Sequence, residues 1–134
     1  MGGIFVICFI LFDLFLVAIV VWRRKQMRSF SSQELTYIKS HWIRIIDSFN
    51  TNTAGAIIDA DKILDYALSR KGFVGSVGEK LKKAGPRFTN LDGVWRAHKY
   101  RNKLAHELGG IKIEDARDAL AQFKRALNDL GSNL

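Results

Sequence analysis

An arginine, an asparagine and a histidine lie close together near the end of one predicted helix, in the run Arg101-Asn102-Lys103-Leu104-Ala105-His106. Imidazole titrates near neutral pH, so His106 has the chemistry to move protons under ordinary conditions. The guanidinium of Arg101 can donate two parallel hydrogen bonds to phosphate oxygens. Polar side chains that interrupt an apolar pattern are where a functional surface should be sought.

The helix that carries this run is predicted to be half buried. At about 100° per residue, Arg101 projects near the middle of an apolar sector, with His98 and Asn102 on its flank. An arginine on a core-facing line is costly unless it is paired or faces a wet interface. We therefore expect part of this sector to face a second subunit or a polar crevice. The apolar sector comprises Val94, Ala97, Leu104, Ala105 and Leu108, and the opposite, solvated side carries Arg96, Lys99 and Lys103.

The pattern Arg-Asn-x-x-x-His, late in a helix of a small all-helical domain, resembles the motif of the HEPN superfamily. The resemblance covers roughly residues 33–130. Its context is an upstream pair of amphipathic helices, a short third helix and an apolar helix after the motif. It implies a HEPN-like four-helix bundle with one extra short helix, which pairs as a homodimer.

In HEPN ribonucleases, the arginine and histidine of two subunits meet across the dimer interface and cleave RNA without a metal. The 2′-hydroxyl attacks the adjacent phosphate and leaves a cyclic phosphate. By this resemblance His106 would be the general acid and base, Arg101 would bind the phosphate, and Asn102 would orient one of them or the phosphate. The expected substrate-binding residues are His98, Lys99 and Lys103. Many HEPN proteins are non-catalytic, so the alternative is a scaffold module that binds a nucleotide, RNA or a protein partner.

Each motif residue also has a purely structural interpretation. His106 lies in the last turn, where the helix dipole favours a partly charged imidazole as a simple cap. Asn102 and His106 are four residues apart and could bond each other. Arg101 could form an ion pair with one aspartate of the preceding long helix, either Asp59, Asp61 or Asp65. The sequence leaves these alternatives open.

The sequence predicts no metal or cofactor site. His41 and His98 have no acidic or cysteine partners at ligand spacing, and the lone Cys8 lies in an apolar segment. The net charge is +8, most of it in the part that follows the apolar segment, which favours polyanions or anionic lipid headgroups as partners. A basic cluster surrounds the short helix, and it is either a solvated face or a surface for RNA or lipid: Lys80, Lys82, Lys83 and Arg87.

Residues 4–22 are apolar apart from Asp13. A helix of this length spans about 28 Å, close to the hydrocarbon core of a bilayer. A cleavable signal peptide would need a basic start, a shorter apolar run and a small-x-small cleavage site, which are missing here. We therefore predict a single-pass anchor of the cell membrane. Asp13 is either a polar contact between anchors or a tolerated, protonated carboxyl group.

The apolar segment is followed by basic residues, which by the positive-inside rule keep the C-terminal domain in the cytoplasm and the N-terminus outside. The expected organisation is a transmembrane anchor at 1–22, a basic juxtamembrane linker at 23–32 and a HEPN-like helical bundle at 33–134. Helical periodicity and caps place the long helices at about 33–49, 54–70, 91–107 and 114–130, with a short helix that ends near Ala84. The first of these helices has its apolar positions at Leu35, Ile38, Trp42, Ile45, Ile46 and Phe49.

Overall fold

The computed structural model describes residues 1–25, 28–107 and 109–134. Within these ranges the chain is all helical and contains no strand, which confirms the predicted all-α class. The helices are α1 (Gly2–Lys25), α2 (Ser32–Ser48), α3 (Thr53–Arg70), α4 (Val77–Ala84), α5 (Leu91–His106) and α6 (Ile113–Asp129), with a single 3₁₀ turn at Gly85–Arg87 after α4.

Side-chain caps explain where the helices begin. At α2, the Ser31 hydroxyl accepts the Glu34 backbone N–H while the Glu34 carboxylate accepts the Ser31 backbone N–H. Ser76 and Glu79 form the same reciprocal pair at α4. Asn90 caps α5 through the Gly93 backbone N–H. Each cap satisfies a backbone donor that has no partner inside the helix, and so fixes the first residue of the element.

Helix α3 is the central element of the bundle. It packs against α2, α4, α5 and α6, and α5 and α6 also pack against each other. The buried positions of α3 are apolar with one exception, Asp61, which is only 2 % exposed. A carboxylate at such a position requires partners, because burying an unpaired charge is costly. Asp61 therefore places a charged group on the buried face of α3, and its partners lie on α5.

Helix α1 differs from the others in being almost fully exposed. Its segment Gly2–Val21 is long and apolar enough to cross a membrane, and none of it is buried against the other described residues. Soluble proteins rarely expose a continuous apolar surface of this size. These properties fit a membrane-spanning segment.

Burial along α5 decreases toward its C-terminus, in contrast to the continuous apolar sector expected there. Val94 and Ala97 are buried, Leu104 is half buried and Ala105 is exposed. The expectation for Leu108 falls outside the described residues. In α2, Ile46 is also exposed rather than part of the core, at 47 %, because the buried face of that helix runs through Ile38, Trp42 and Ile45.

Glu34 connects the segment after α1 to the bundle. Its side chain is 4 % exposed and accepts hydrogen bonds from the Ser31 backbone N–H, from Arg70 and from Arg28. The Ser31 N–H, together with these two guanidinium groups, lowers the pKa of Glu34 from 4.5 to about 2, against the opposing effect of burial. Glu34 is therefore a buried anion held by three donors.

We expect this carboxylate to make the stability of the fold depend on acid pH. Its pKa is lower in the folded chain than in the unfolded chain, so its stabilising effect is complete above about pH 4.5 and is lost as the pH falls toward 2. The test compares urea unfolding of the wild type and Glu34→Gln between pH 6 and pH 3. The free energy of unfolding of the wild type should fall toward that of Glu34→Gln as the pH falls. The exposed control Glu114→Gln should have the same free energy of unfolding as the wild type at every pH. A difference in unfolding free energy between the wild type and Glu34→Gln that stays constant with pH would contradict this role of Glu34.

Candidate functional site

Helices α3 and α5 bring four polar side chains into one cluster: Asp61, His98, Arg101 and Asn102. His98 Nδ1 lies 2.8 Å from Asp61 Oδ1. Arg101 Nε lies 3.4 Å from the other carboxylate oxygen, Asp61 Oδ2. Arg101 Nη1 donates to Asn102 Oδ1 at 3.0 Å, and Asn102 Nδ2 lies 3.4 Å from His98 Nε2. These contacts connect the four residues in a closed cycle, which we call the polar ring.

The geometry of the polar ring fits one assignment of the His98 protons. Nδ1 donates to Asp61, which leaves Nε2 to accept from the Asn102 amide. Both nitrogens of His98 are then occupied by protein groups. Arg101 Nε is buried and has no hydrogen bond within the described parts of the chain, so its attraction to Asp61 is that of an ion pair rather than an aligned hydrogen bond. Asp61 thus orients His98 and compensates the charge of Arg101.

Helical spacing explains the α5 part of the ring. Positions 98, 101 and 102 are three and four residues apart, which places them on one side of a helix. Trp95, one turn before His98, contacts that imidazole edge-on with the ring centroids 6.1 Å apart. The structure also resolves which aspartate of α3 pairs with Arg101. Asp59 pairs with Lys62 and Asp65 pairs with Lys80, so Asp61 is the partner.

The structure does not bring His106 into the polar ring. His106 is the last residue of α5 and is exposed. In the described part of the chain it has neither a hydrogen bond nor an ion pair, so the bond considered between Asn102 and His106 is not formed. By helix geometry it points about 140° away from Arg101 around the α5 axis. Arg101 itself keeps 26 % of its side chain exposed, so it is partly accessible from solvent.

Lys99 and Lys103 lie on a different side of α5 from the polar ring. Together with Arg96 they form an exposed row, which we call the basic stripe. Arg96 Nη2 lies 3.4 Å from Oδ2 of Asp118 in α6, and Lys103 Nζ lies 3.9 Å from Glu107 Oε2. Lys99 lines an open cleft of about 290 Å³ between α5 and α6. His106 points within about 20° of Lys99, so it lies with the basic stripe rather than with Arg101.

The basic cluster expected around α4 is only partly a surface feature. Lys80 is 7 % exposed, and its ammonium group bonds Asp65 at 2.6 Å and Ser69 at 2.7 Å. It therefore joins α4 to α3 and is not available to a ligand. Lys82 and Lys83 are exposed. The expected basic cluster therefore does not include Lys80, because its partner Asp65 lies on another helix and the pairing was not visible in the helical pattern.

A second cleft, of about 440 Å³, lies between α2 and α3. Tyr66, Tyr37 and His41 form a row of rings in it, with centroids 4.4 Å and 4.0 Å apart. His41 Nδ1 also bonds the Tyr37 carbonyl at 2.8 Å. The sequence did not reveal this row, because its members come from two helices. His41 is thus a histidine remote from α5, and it offers a control position for tests of His106.

Comparison of the chain with known protein families, with curated proteins and with solved structures gives no match. The described residues contain no group of three or more histidine, cysteine, aspartate or glutamate side chains that could hold a metal ion.

Proposed function

We propose that this chain is a membrane-tethered, HEPN-like endoribonuclease that acts as a homodimer and cleaves RNA without a metal. In this proposal α1 crosses the cell membrane once, with the N-terminus outside and the helical bundle in the cytoplasm. The observation that carries the proposal is the difference between the environments of Arg101 and His106 on α5. Arg101 is held in place by Asp61 yet remains partly exposed, while His106 is exposed and has no partner among the described residues.

These two environments suit two chemical roles. A guanidinium that is fixed from one side can meet a phosphate without first being ordered, which reduces the cost of binding. An acid-base group needs a nitrogen that no protein group occupies. His98 does not meet this condition, because Asp61 and Asn102 occupy both of its nitrogens. His106 meets this condition as far as the described residues go, so it is the candidate for proton transfer.

The directions of the side chains favour a dimer. Arg101 and His106 of one chain diverge by about 140°, so they do not face the same phosphate. In a symmetric pair, the same patch of both chains meets itself, and Arg101 of one chain can face His106 of the other. Two copies of His106 would then be present. One removes the proton from the 2′-hydroxyl as it bonds to phosphorus, and the other protonates the 5′-oxygen as its bond to phosphorus breaks.

A second candidate function is supported by the same ion pair. Asp61 compensates the charge of Arg101, which weakens the attraction of that guanidinium for a phosphate. Among the described residues, no hydrogen bond or ion pair orients His106. Both features favour a non-catalytic module in which the basic stripe binds RNA, a nucleotide or an acidic protein partner at the membrane.

Cleavage of RNA in the presence of EDTA distinguishes the two functions. The intact chain in detergent micelles should cut mixed RNA and leave cyclic phosphate ends. His106→Ala should reduce the rate about 100-fold, the usual contribution of an acid-base group. His41→Ala, the matched control, should leave the rate unchanged.

Other outcomes identify the alternative. Binding of RNA without cleavage by the wild type would support the non-catalytic module. Cleavage that persists unchanged in His106→Ala would show that His106 is not the proton-transfer group and would contradict the proposal.

A further inference from the structure

The chain that follows α1 is held against the C-terminal end of α3. Arg28 Nη1 donates to the Arg70 carbonyl at 3.1 Å and to Glu34 at 3.0 Å. In return, Lys71 Nζ donates to the Arg28 carbonyl at 2.6 Å and lies 3.9 Å above the centre of the Phe30 ring. Residues 28–30 are therefore fixed on the bundle by contacts with both α2 and α3.

The length of the connection places this end of α3 near the membrane surface. Helix α1 ends at Lys25, and an extended chain covers at most about 11 Å between residues 25 and 28. The apolar segment ends at Val21, so Lys25 lies about 6 Å farther along the helix, within the headgroup layer of a bilayer that α1 spans. When α1 spans a bilayer, Arg28 and the residues that it contacts are therefore tethered close to the headgroup layer.

The loop at this end of the bundle presents an exposed aliphatic side chain. Val74 is 73 % exposed, more than any other large hydrophobic residue in the described ranges from residue 28 onward. Its neighbour Phe73 turns inward and packs against the core. Gly72 and Gly75 have φ values of +95° and +116°, which allow the sharp turns, and Lys83 Nζ donates to the Val74 carbonyl at 3.1 Å. We call residues 71–76 the Val74 loop.

The surroundings of the Val74 loop are predominantly basic. Arg28 and Arg70 keep 55 % and 47 % of their side chains exposed, and Lys83 is exposed as well. The carboxylates in this region are Glu34, which is buried under the two arginines, and Glu79, whose side chain caps α4. The sequence adds three more basic residues at 23–25, immediately before this region. An exposed aliphatic group within a surplus of positive charge fits the boundary of an anionic bilayer.

We propose that the Val74 loop is a second membrane contact, which docks the bundle on the leaflet where α1 ends. Val74 enters the headgroup boundary, and the neighbouring lysine and arginine side chains bind anionic lipid headgroups. The bundle is then held at two points and keeps a fixed orientation on the surface. This inference requires α1 to span the membrane, and it is independent of RNA cleavage.

Fluorescence of a label at position 74 tests the contact. The full chain carries Cys8→Ser, which removes its single cysteine, and then Val74→Cys with an environment-sensitive fluorophore. Because Val74 is exposed, this change does not disturb the core. Thr51→Cys is the control, since it is exposed at the opposite end of the α2–α3 pair, about 25 Å away along α2. Both are reconstituted into vesicles of phosphatidylcholine with and without phosphatidylglycerol.

With phosphatidylglycerol present, the label at 74 should shift to shorter wavelength, lose its quenching by aqueous iodide and gain quenching by brominated lipid. The label at 51 should show none of these changes. Without phosphatidylglycerol the label at 74 should return to the behaviour of the label at 51. Equal iodide quenching at both positions in anionic vesicles would overturn the proposal. Equal insertion of the label at 74 in both kinds of vesicle would overturn the proposed binding of anionic headgroups. A chain that does not float with the vesicles would show that α1 does not anchor it, and would overturn the proposal as well.

Discussion

Replacing Phe123 by aspartate should unfold the helical bundle. Phe123 is fully buried in α6 and is among the largest completely enclosed side chains in the described residues. Loss of a buried phenylalanine costs about 3–5 kcal/mol, and an unpaired carboxylate in its place adds several more. Single domains are stable by only about 5–15 kcal/mol, so the sum removes most or all of the stability.

The measurement is tryptophan fluorescence and protease resistance of the intact chain in mild detergent, because Trp42 is buried in the bundle and reports its packing. Ala121→Asp is the matched control. It introduces the same charge two residues earlier in α6 at an exposed position, and should cost no more than about 1 kcal/mol. A protease-resistant Phe123→Asp chain with native fluorescence would show that α6 does not pack on the core as described.

Asp61→Ala should destabilise the bundle by about 3 kcal/mol, the lower end of the range for breaking a buried ion pair. The substitution leaves the buried Arg101 Nε without its counterion and leaves His98 Nδ1 without its acceptor. The lower end applies because Arg101 is partly exposed, so water can solvate part of the guanidinium that remains.

Urea unfolding in detergent measures this effect, and Asp59→Ala supplies the control. Asp59 lies on the same helix and also has a basic partner, but its side chain is 59 % exposed and its ion pair with Lys62 lies on the surface. Exposed pairs of this kind contribute about 0–1 kcal/mol. Equal losses of unfolding free energy in Asp61→Ala and Asp59→Ala would mean that the polar ring stabilises the bundle no more than an ordinary surface contact does.

The helices could be predicted from the sequence because their signals are local. The pairs Ser31 with Glu34 and Ser76 with Glu79 are each three residues apart, and apolar residues recur at helical spacing between the caps. An apolar run of about twenty residues likewise identifies α1 as long enough to span a bilayer.

The candidate site could be predicted only in part. The sequence placed His98, Arg101 and Asn102 on one side of α5, which depends on spacing alone. It could not choose among Asp59, Asp61 and Asp65, because that choice depends on how α3 is rotated against α5. Lys80 was misplaced on the surface, and the hydrogen bonds that join Arg28 to α3 were missed, for the same reason: both depend on contacts between distant parts of the chain.

The opposed directions of Arg101 and His106 have a consequence for control of the proposed enzyme. If a complete site requires side chains from two copies of the chain, then a solitary chain is inert and every pair is a potential catalyst. Helix α1 confines the chains to a plane, where encounters depend on the number of molecules per unit area instead of the volume of the cell. Crowding the chains into one membrane region, or diluting them across a larger one, then turns RNA cleavage on or off without any change in the protein itself.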